Sequence, residues 1–360
     1  MKFKFRSVLL LSALLSVGVA PQVQASGAKK PVQQASKKSE APASKKVQAA
    51  RKPVLKSAAA SNRSKTVAAT APSIKTKTAK SGKSMQLAQS QAKQPVRRVS
   101  LTDIDPSRLA LYSSSALVID QSTGQSVLAK HPDTVTPIAS ISKLMTAMVV
   151  LDANLNLQDV IAIGDEDVDG LKGTRSRLPV GTTMTRETAM LLALMSSENR
   201  AAHALGRHYP GGLPAFVAAM NKKAQALGMY NTRFEEPTGL SSNNVSTAYD
   251  LARMVTAAAR YPEIRHFSTT AEAKVELNGR IQNFGTTNPL VRSDNWEIGL
   301  SKTGYISEAG RCLVMQARVA DKPVVIVLLD SQGKMTRVGD ANRIKRWMES
   351  ASLASERKRV

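Results

Sequence analysis

Thr136-Pro137-Ile138-Ala139-Ser140-Ile141-Ser142-Lys143-Leu144-Met145-Thr146-Ala147 is the stretch on which the reading of this chain turns. A proline and small residues lead into it and an apolar run from Leu144 to Leu151 succeeds it, so the pattern predicts a helix entered at Ser140. Residues three apart share a helix face, which lets the Ser140 hydroxyl meet the Lys143 amine. A serine hydroxyl is a poor nucleophile at neutral pH until a base takes its proton. A lysine serves as that base only when burial or nearby charge holds it neutral, and the apolar run offers the desolvating wall. The spacing alone decides little. Ser-x-x-Lys also starts at Ser26, Ser90, Ser331 and Ser355, but only Ser140 opens an apolar helical run.

Two further elements lie downstream. Ser197-Glu198-Asn199 comes after a helical apolar pattern that ends Leu191-Leu192-Ala193-Leu194-Met195, where a hydroxyl and an amide can face a cleft. Lys302-Thr303-Gly304 occurs once and opens a strand pattern, with a glycine where another backbone can approach closely. Taken singly, these are an ordinary helix terminus and an edge-strand lysine. A literal Ser293-Asp294-Asn295 competes with Ser197-Glu198-Asn199 but trails no helix, and it lies in a polar loop nine residues before Lys302.

In this order, the three elements resemble the signature of the penicillin-recognising serine enzymes. Phe234 to Ser241, Ser246-Thr247-Ala248, Thr287-Asn288-Pro289-Leu290, Lys302 to Tyr305 and Glu308-Ala309-Gly310 are similar to D-alanyl-D-alanine peptidases, a resemblance covering residues 110–330. Met195 to Ala202 resembles the endopeptidases of the penicillin-binding protein 7 type, which cut peptide cross-bridges in peptidoglycan. The resemblance implies that Ser140 attacks the carbonyl of a penultimate D-Ala, that Lys143 takes its proton, and that Ser197 relays a proton to the leaving amine. It also implies that Asn199 holds the substrate peptide and Lys143, that Lys302 and Thr303 bind the leaving group's carboxylate, and that Gly304 and Tyr305 belong to the substrate-binding set. The backbone N–H groups of Ser140 and Tyr305 would form the oxyanion hole. β-Lactams would acylate Ser140 and leave slowly, and no cofactor is implied.

The hydropathy pattern predicts the scaffold. Ala116–Asp120, a turn at Ser122–Gln125, and Ser126–Ala129 read as strand, turn and strand; helical patterns cover 185–196, 213–227 and 248–260. Strands at 301–306, 312–319 and 324–329 precede an amphipathic helix over 340–350. Strands at both ends with helices between them predict α+β: an antiparallel sheet built from the two ends, flanked by helices with a helical lobe, over residues 106–352. The resemblance makes this β-lactamase/transpeptidase-like.

Residues 1–25 read as an export signal, with Lys2, Lys4 and Arg6 before an apolar core and Val23-Gln24-Ala25 as the cleavage site. A periplasmic location is the expectation, with peripheral membrane association through the basic segment beyond the signal. That segment, residues 26–105, is rich in Lys, Ala and Ser; up to Ser100 it carries 18 Lys and Arg against one acid and so holds +17 of the formal +24. Such a segment cannot bury enough apolar surface to order itself. Its charge suits anionic membrane surfaces or wall polymers, or a solvated spacer. Nucleic acid is not expected, given the export signal and the lack of aromatic residues for base stacking.

Rival readings rest on fewer residues. A β-lactamase needs a deacylating base such as the Glu of a Glu-x-x-Leu-Asn loop; downstream of Asn199 the matching string is Lys274…Leu277-Asn278, and Asp152…Leu155-Asn156 precedes Ser197. D-Alanyl-D-alanine carboxypeptidase is the near alternative. A non-catalytic wall-binding scaffold is the distant one, and it has no need of Lys143. Asp165-x-Asp167-x-Asp169-Gly170 copies the start of a calcium loop but ends on Ser176, and the histidines show no zinc spacing, so no metal is expected. The lone Cys312 reads as a core residue.

Overall fold

A computed structural model describes residues 105, 106 and 109–357, with side chains as far as residue 354. The expected signal and all but the last residue of the basic segment lie outside the described residues.

The chain runs β1 (Ser113–Asp120), β2 (Ser126–Lys130), β3 (Thr136–Pro137), α1 (Ser142–Asp152), β4 (Val160–Ala162), β5 (Thr183–Thr185), α2 (Arg186–Met195), α3 (Asn199–Arg207) and α4 (Gly212–Ala226). It continues through β6 (Val245–Ser246), α5 (Ala248–Ala258), α6 (Pro262–Thr269), β7 (Glu272–Leu277), β8 (Arg280–Gly285), β9 (Glu297–Ile306), β10 (Gly310–Val319), β11 (Lys322–Ser331) and α7 (Thr336–Arg357). The principal sheet has the order β2-β1-β11-β10-β9, antiparallel throughout. The two ends of the domain meet where β1 pairs with β11, with Leu117 opposite Val327. The fold is α+β, as the pattern predicts.

The apolar run of β11 explains the layering. A strand covered on both faces reads as continuous hydrophobic sequence, because successive side chains point opposite ways. Val324, Ile326 and Leu328 pack with Val338, Ala341, Ile344 and Met348 of α7. Val325, Val327 and Leu329 join the larger core with α1, α2 and α5. Asp340, fully buried on α7, fixes that helix to β1 by accepting from the Ser113 N–H at 2.7 Å and Ser113 Oγ at 2.6 Å.

Local signals set the element ends. Thr185 caps α2 by accepting from the Thr188 N–H, and Thr247 caps α5 by accepting from the Asp250 N–H. Pro262 occupies the first turn of α6, where its missing N–H is harmless. The pattern reading does not include α3, α6, the β7–β8 hairpin or the short strands β3 to β6. The hairpin closes on Asn278-Gly279, both with positive φ (52° and 73°), a pair suited to a two-residue turn. The predicted helix start is also refined. Ser140 lies in a one-turn 3₁₀ segment, Ala139–Ile141, and the α-helix begins at Ser142.

Candidate active site

Two glycines bring backbone up to Ser140 from both sides. Gly239, at φ 82°, lies so close that a Cβ there would stand 1.9 Å from the Ala139 carbonyl oxygen and 2.7 Å from the Ser140 nitrogen. A Cβ on Gly304 of β9 would meet the Ile138 carbonyl oxygen at 2.9 Å and the Ser140 nitrogen at 3.1 Å. Ala139 itself takes a positive φ of 48°, a strained conformation for a residue with a Cβ. The 3₁₀ turn is thus clasped between the sheet edge and the turn Pro237–Gly239.

Lys143 is fully buried, and its Nζ lies 2.9 Å from Ser140 Oγ. It donates to Asn199 Oδ1 at 2.8 Å and to the Thr238 carbonyl at 2.6 Å. Burial drives its pKa down to about 7, against the opposing pull of the Glu236 and Glu198 carboxylates. A neutral amine has two hydrogens and one lone pair. Asn199 and Thr238 take the two hydrogens, which leaves the lone pair toward the serine.

Ser197 stands between α2 and α3 in the left-handed region, φ 62°, and its Oγ accepts from Lys302 Nζ at 2.9 Å. Lys302 is also buried and donates to the Thr303 carbonyl at 2.9 Å. Its pKa is held well below that of an ordinary lysine, first by burial and then by the positive charges of Lys143 and Arg337. Thr303 Oγ1 lies 2.6 Å from Thr287 Oγ1. The Tyr305 ring is exposed, with the Arg311 guanidinium 4.3 Å from its centroid. Ser140, Lys143 and Asn199 thus form one hydrogen-bonded group, Ser197 and Lys302 a second, and the Thr303 carbonyl belongs to the latter. Ser197 and Asn199, two residues apart, join the two lysines. Ser293 ends a 3₁₀ turn at Pro289–Arg292 instead, where its N–H donates to the Leu290 carbonyl at 3.1 Å.

Several participants escape the sequence reading. Thr174 accepts from Asn199 Nδ2 at 3.0 Å, and Asp169 holds Thr174 by both its N–H and its hydroxyl. Asp169 and Asp167, the calcium-like pair, are thus engaged: Asp167 accepts from Arg207 and the Gly164 N–H and lies 2.7 Å from His203 Nδ1. Arg337, at the start of α7, donates to the Gly304 carbonyl at 3.1 Å and puts a second cation near Lys302. Nothing periodic marks Thr174 or Arg337 in sequence, since 25 residues separate the first from Asn199 and 33 separate the second from Gly304. Asp152 pairs with Lys223 at 2.6 Å at the far end of α1, about 14 Å of helix from Lys143. Cys312 is buried, and burial pushes its thiol up to about 11.

Residues 102–333 match the family model described as D-alanyl-D-alanine carboxypeptidase. The chain is 49% identical over 252 residues to a D-alanyl-D-alanine endopeptidase of Pseudomonas aeruginosa, covering 69% of this chain and 81% of that protein. It is 48% identical to the D-alanyl-D-alanine endopeptidase of Escherichia coli, over 68% of this chain and 79% of that one. Among solved structures, the Streptomyces K15 DD-transpeptidase superposes with a TM-score of 0.62 at 27% identity, over 68% of this chain and 98% of that one.

Proposed function

The chain belongs to the D-alanyl-D-alanine carboxypeptidase family of serine peptidases, and from that premise we propose that it hydrolyses D-Ala-containing peptide cross-links of bacterial peptidoglycan through an acyl-enzyme on Ser140. The observation that carries the mechanism is the buried amine of Lys143 at 2.9 Å from the Ser140 hydroxyl, donating also to Asn199 and the Thr238 carbonyl, with burial holding its pKa down to about 7. Lys143 takes the Ser140 proton as Oγ attacks the D-Ala carbonyl. The peptide N–H groups of Ser140 and Tyr305 stabilise the oxyanion, where one lost donor costs about 2.7–4 kcal/mol. Ser197, bonded to Lys302, passes a proton to the leaving amine. Lys302, Thr303 and Arg337 receive a carboxylate on the substrate, and water then releases the acyl group from Ser140. β-Lactams enter by the same attack and remain as stable acyl-enzymes.

Endopeptidase rather than carboxypeptidase specificity rests on the two relatives near half identity, both named endopeptidases, whereas the carboxypeptidase DacF of Bacillus subtilis is 30% identical. The catalytic unit spans residues 106–352. The N-terminal signal would deliver it to the periplasm, where family members act on the cell wall. The basic segment would hold it near anionic membrane or wall polymers. No helix among the described residues is long and apolar enough to cross a membrane. The test is labelling with a fluorescent penicillin and digestion of cross-linked muropeptide dimers, for wild type and Ser140→Ala. Both signals should vanish in the variant. Loss of a terminal D-Ala with dimers left intact would make the enzyme a carboxypeptidase, and an unlabelled wild type would overturn the acyl-enzyme.

A further inference from the structure

Glu236 precedes the turn that supports both Ser140 and Lys143, and its carboxylate accepts mainly from that turn. One oxygen accepts from the Thr238 N–H at 2.6 Å and the Thr238 hydroxyl at 2.5 Å. The other accepts from the Gly239 N–H at 2.6 Å, from Asn244 Nδ2 at 3.1 Å and from the Ser241 N–H at 3.3 Å. Five donors on one carboxylate fix a short Pro-Thr-Gly segment in one conformation. Charge-assisted bonds of this length are about twice as strong as neutral ones.

The clamped segment reaches the chemistry at three places. The Thr238 carbonyl accepts from Lys143 at 2.6 Å, Gly239 lies against the Ala139–Ser140 peptide, and the Pro237 carbonyl accepts from Thr146 of α1 at 2.7 Å. Asn244 closes the circuit, since its amide nitrogen also donates to Ser142 Oγ at 3.0 Å. We propose that Glu236 is a positioning residue for acylation: by clamping the Pro237–Gly239 turn, it aims the Thr238 carbonyl at Lys143 and so turns the lone pair of that amine toward Ser140. This inference rests on the serine-peptidase function proposed for the chain and adds to it a residue whose carboxylate bonds are all to the protein.

The same carboxylate acts through its charge. The charged groups bearing on Lys143 are Glu236 from this turn, Glu198 from the α2–α3 junction and Lys302 from β9. Glu198 is itself paired with Arg177 at 2.8 Å. Beside Glu236, the same cavity wall holds Glu166, Asp167, Asp169 and His203, with Asp167 balanced by Arg207. Glu236 favours the protonated form of Lys143, so removing its charge extends the neutral, basic form of the amine to lower pH. A residue with a purely structural role would slow the reaction without moving that limb.

The experiment measures the acylation rate of the full chain by a fluorescent penicillin from pH 5 to 9, for wild type, Glu236→Gln and Glu236→Asp, with thermal unfolding as the folding control. Glu236→Gln keeps the shape but turns an NH₂ against the donors. It should slow acylation about 10- to 100-fold and move the acid limb down by about one pH unit. Glu236→Asp keeps the charge on a shorter stem; it should slow acylation and leave the limb in place. A Gln variant whose limb stays or rises overturns the proposal. If the Gln variant does not fold, the Asp variant decides, and acylation at the wild-type rate overturns it. An unlabelled wild type would defeat the serine-peptidase function instead, so the two failures are distinct.

Discussion

Lys143 and Lys302 are both buried, and each has a serine hydroxyl 2.9 Å from its amine, yet they face each other with opposite surroundings. Lys143, in the first turn of α1, has its pKa lowered by burial to about 7, with two carboxylates, Glu236 and Glu198, opposing that shift. Lys302, on β9, has only cations among the charges acting on it, Lys143 and Arg337, and these push it further down. Burial sets the same direction for both; the neighbours separate the roles. The first lysine is half neutral near pH 7 and suited to take a proton. The second has no anion among the charges acting on it, and a substrate carboxylate placed beside it would favour its charged form.

Substituting the lysines one at a time is the strongest way to break this comparison. Lys143→Met removes the base and should lower the limiting acylation rate about 10²- to 10⁴-fold, with the penicillin concentration for half-saturation changed far less. Lys302→Met should act mainly on half-saturation, and more for a substrate that carries the carboxylate than for its amide. In wild type the sign is fixed by each lysine's active form. Lys143 works neutral, so the limiting rate rises with pH through about 7. Lys302 works charged, so half-saturation for the acid, and not for the amide, rises with pH. Equal losses of limiting rate in the two variants, with half-saturation unmoved, would show the roles to be shared.

The glycines test the geometry that brings the two lysines to one cleft. Gly304→Ala puts a methyl 3.1 Å from the Ser140 nitrogen, so β9 must retreat by a fraction of an ångström while its pairing with β10 persists. Stopped-flow acylation should slow about 10²-fold with little loss in thermal stability, since misplacement of that size costs rate before it costs fold. Gly239→Ala has no such relief. Its Cβ would overlap the Ala139 carbonyl at 1.9 Å in a backbone conformation that favours glycine, and denaturant unfolding should show a loss of about 2–4 kcal/mol. A stable, active Gly239→Ala would mean that the turn does not press on Ser140.

Legibility in the sequence divides by periodicity. The β11 run from Val324 to Leu329 and the α1 run after Lys143 announce themselves, because burial on two faces or one leaves a repeating apolar pattern. The sheet joining β1 to β11 is legible from strands at both ends. Ser140, Lys143, Ser197, Asn199, Lys302 and Thr303 stand out by motif, and the structure brings them together. Helix α3 escapes because Asn199 to Arg207 is polar on average, with alanines for its buried face. The β7–β8 hairpin escapes although Asn278-Gly279 signals it, because its strands alternate with charged residues and its outward face is solvated. Thr174 and Arg337 have no pattern to give them away, and Glu236 lies in a stretch similar to the peptidases that assigns it no role. Thr174 and Arg337 act through hydrogen bonds made only when separate segments close on one another, and Glu236 through a turn whose contacts with Lys143 and Ser140 are long-range.

Thr174 sharpens the comparison with the smallest expected effect. Lys143 needs an acceptor from Asn199, but an amide offers an oxygen on one side and an NH₂ on the other. Thr174 Oγ1 accepts from the Asn199 NH₂ at 3.0 Å, which leaves Oδ1 toward Lys143. Asp169 in turn holds Thr174 by accepting from its hydroxyl and N–H, so the hydroxyl hydrogen is already spent and its oxygen can only accept from Asn199. Thr174→Val keeps the shape and deletes this acceptor. The amide is then free to rotate and to present NH₂ to the lysine for part of the time. One neutral hydrogen bond at a partly exposed site contributes about 0.5–1.5 kcal/mol, so acylation should slow about 2- to 10-fold. Thr174→Ser should recover the rate, because the hydroxyl returns without the methyl. Lys302-dependent half-saturation should stay the same in both, since the relay ends on Lys143; a change there would mean that Asn199 orients substrate on the strand side as well.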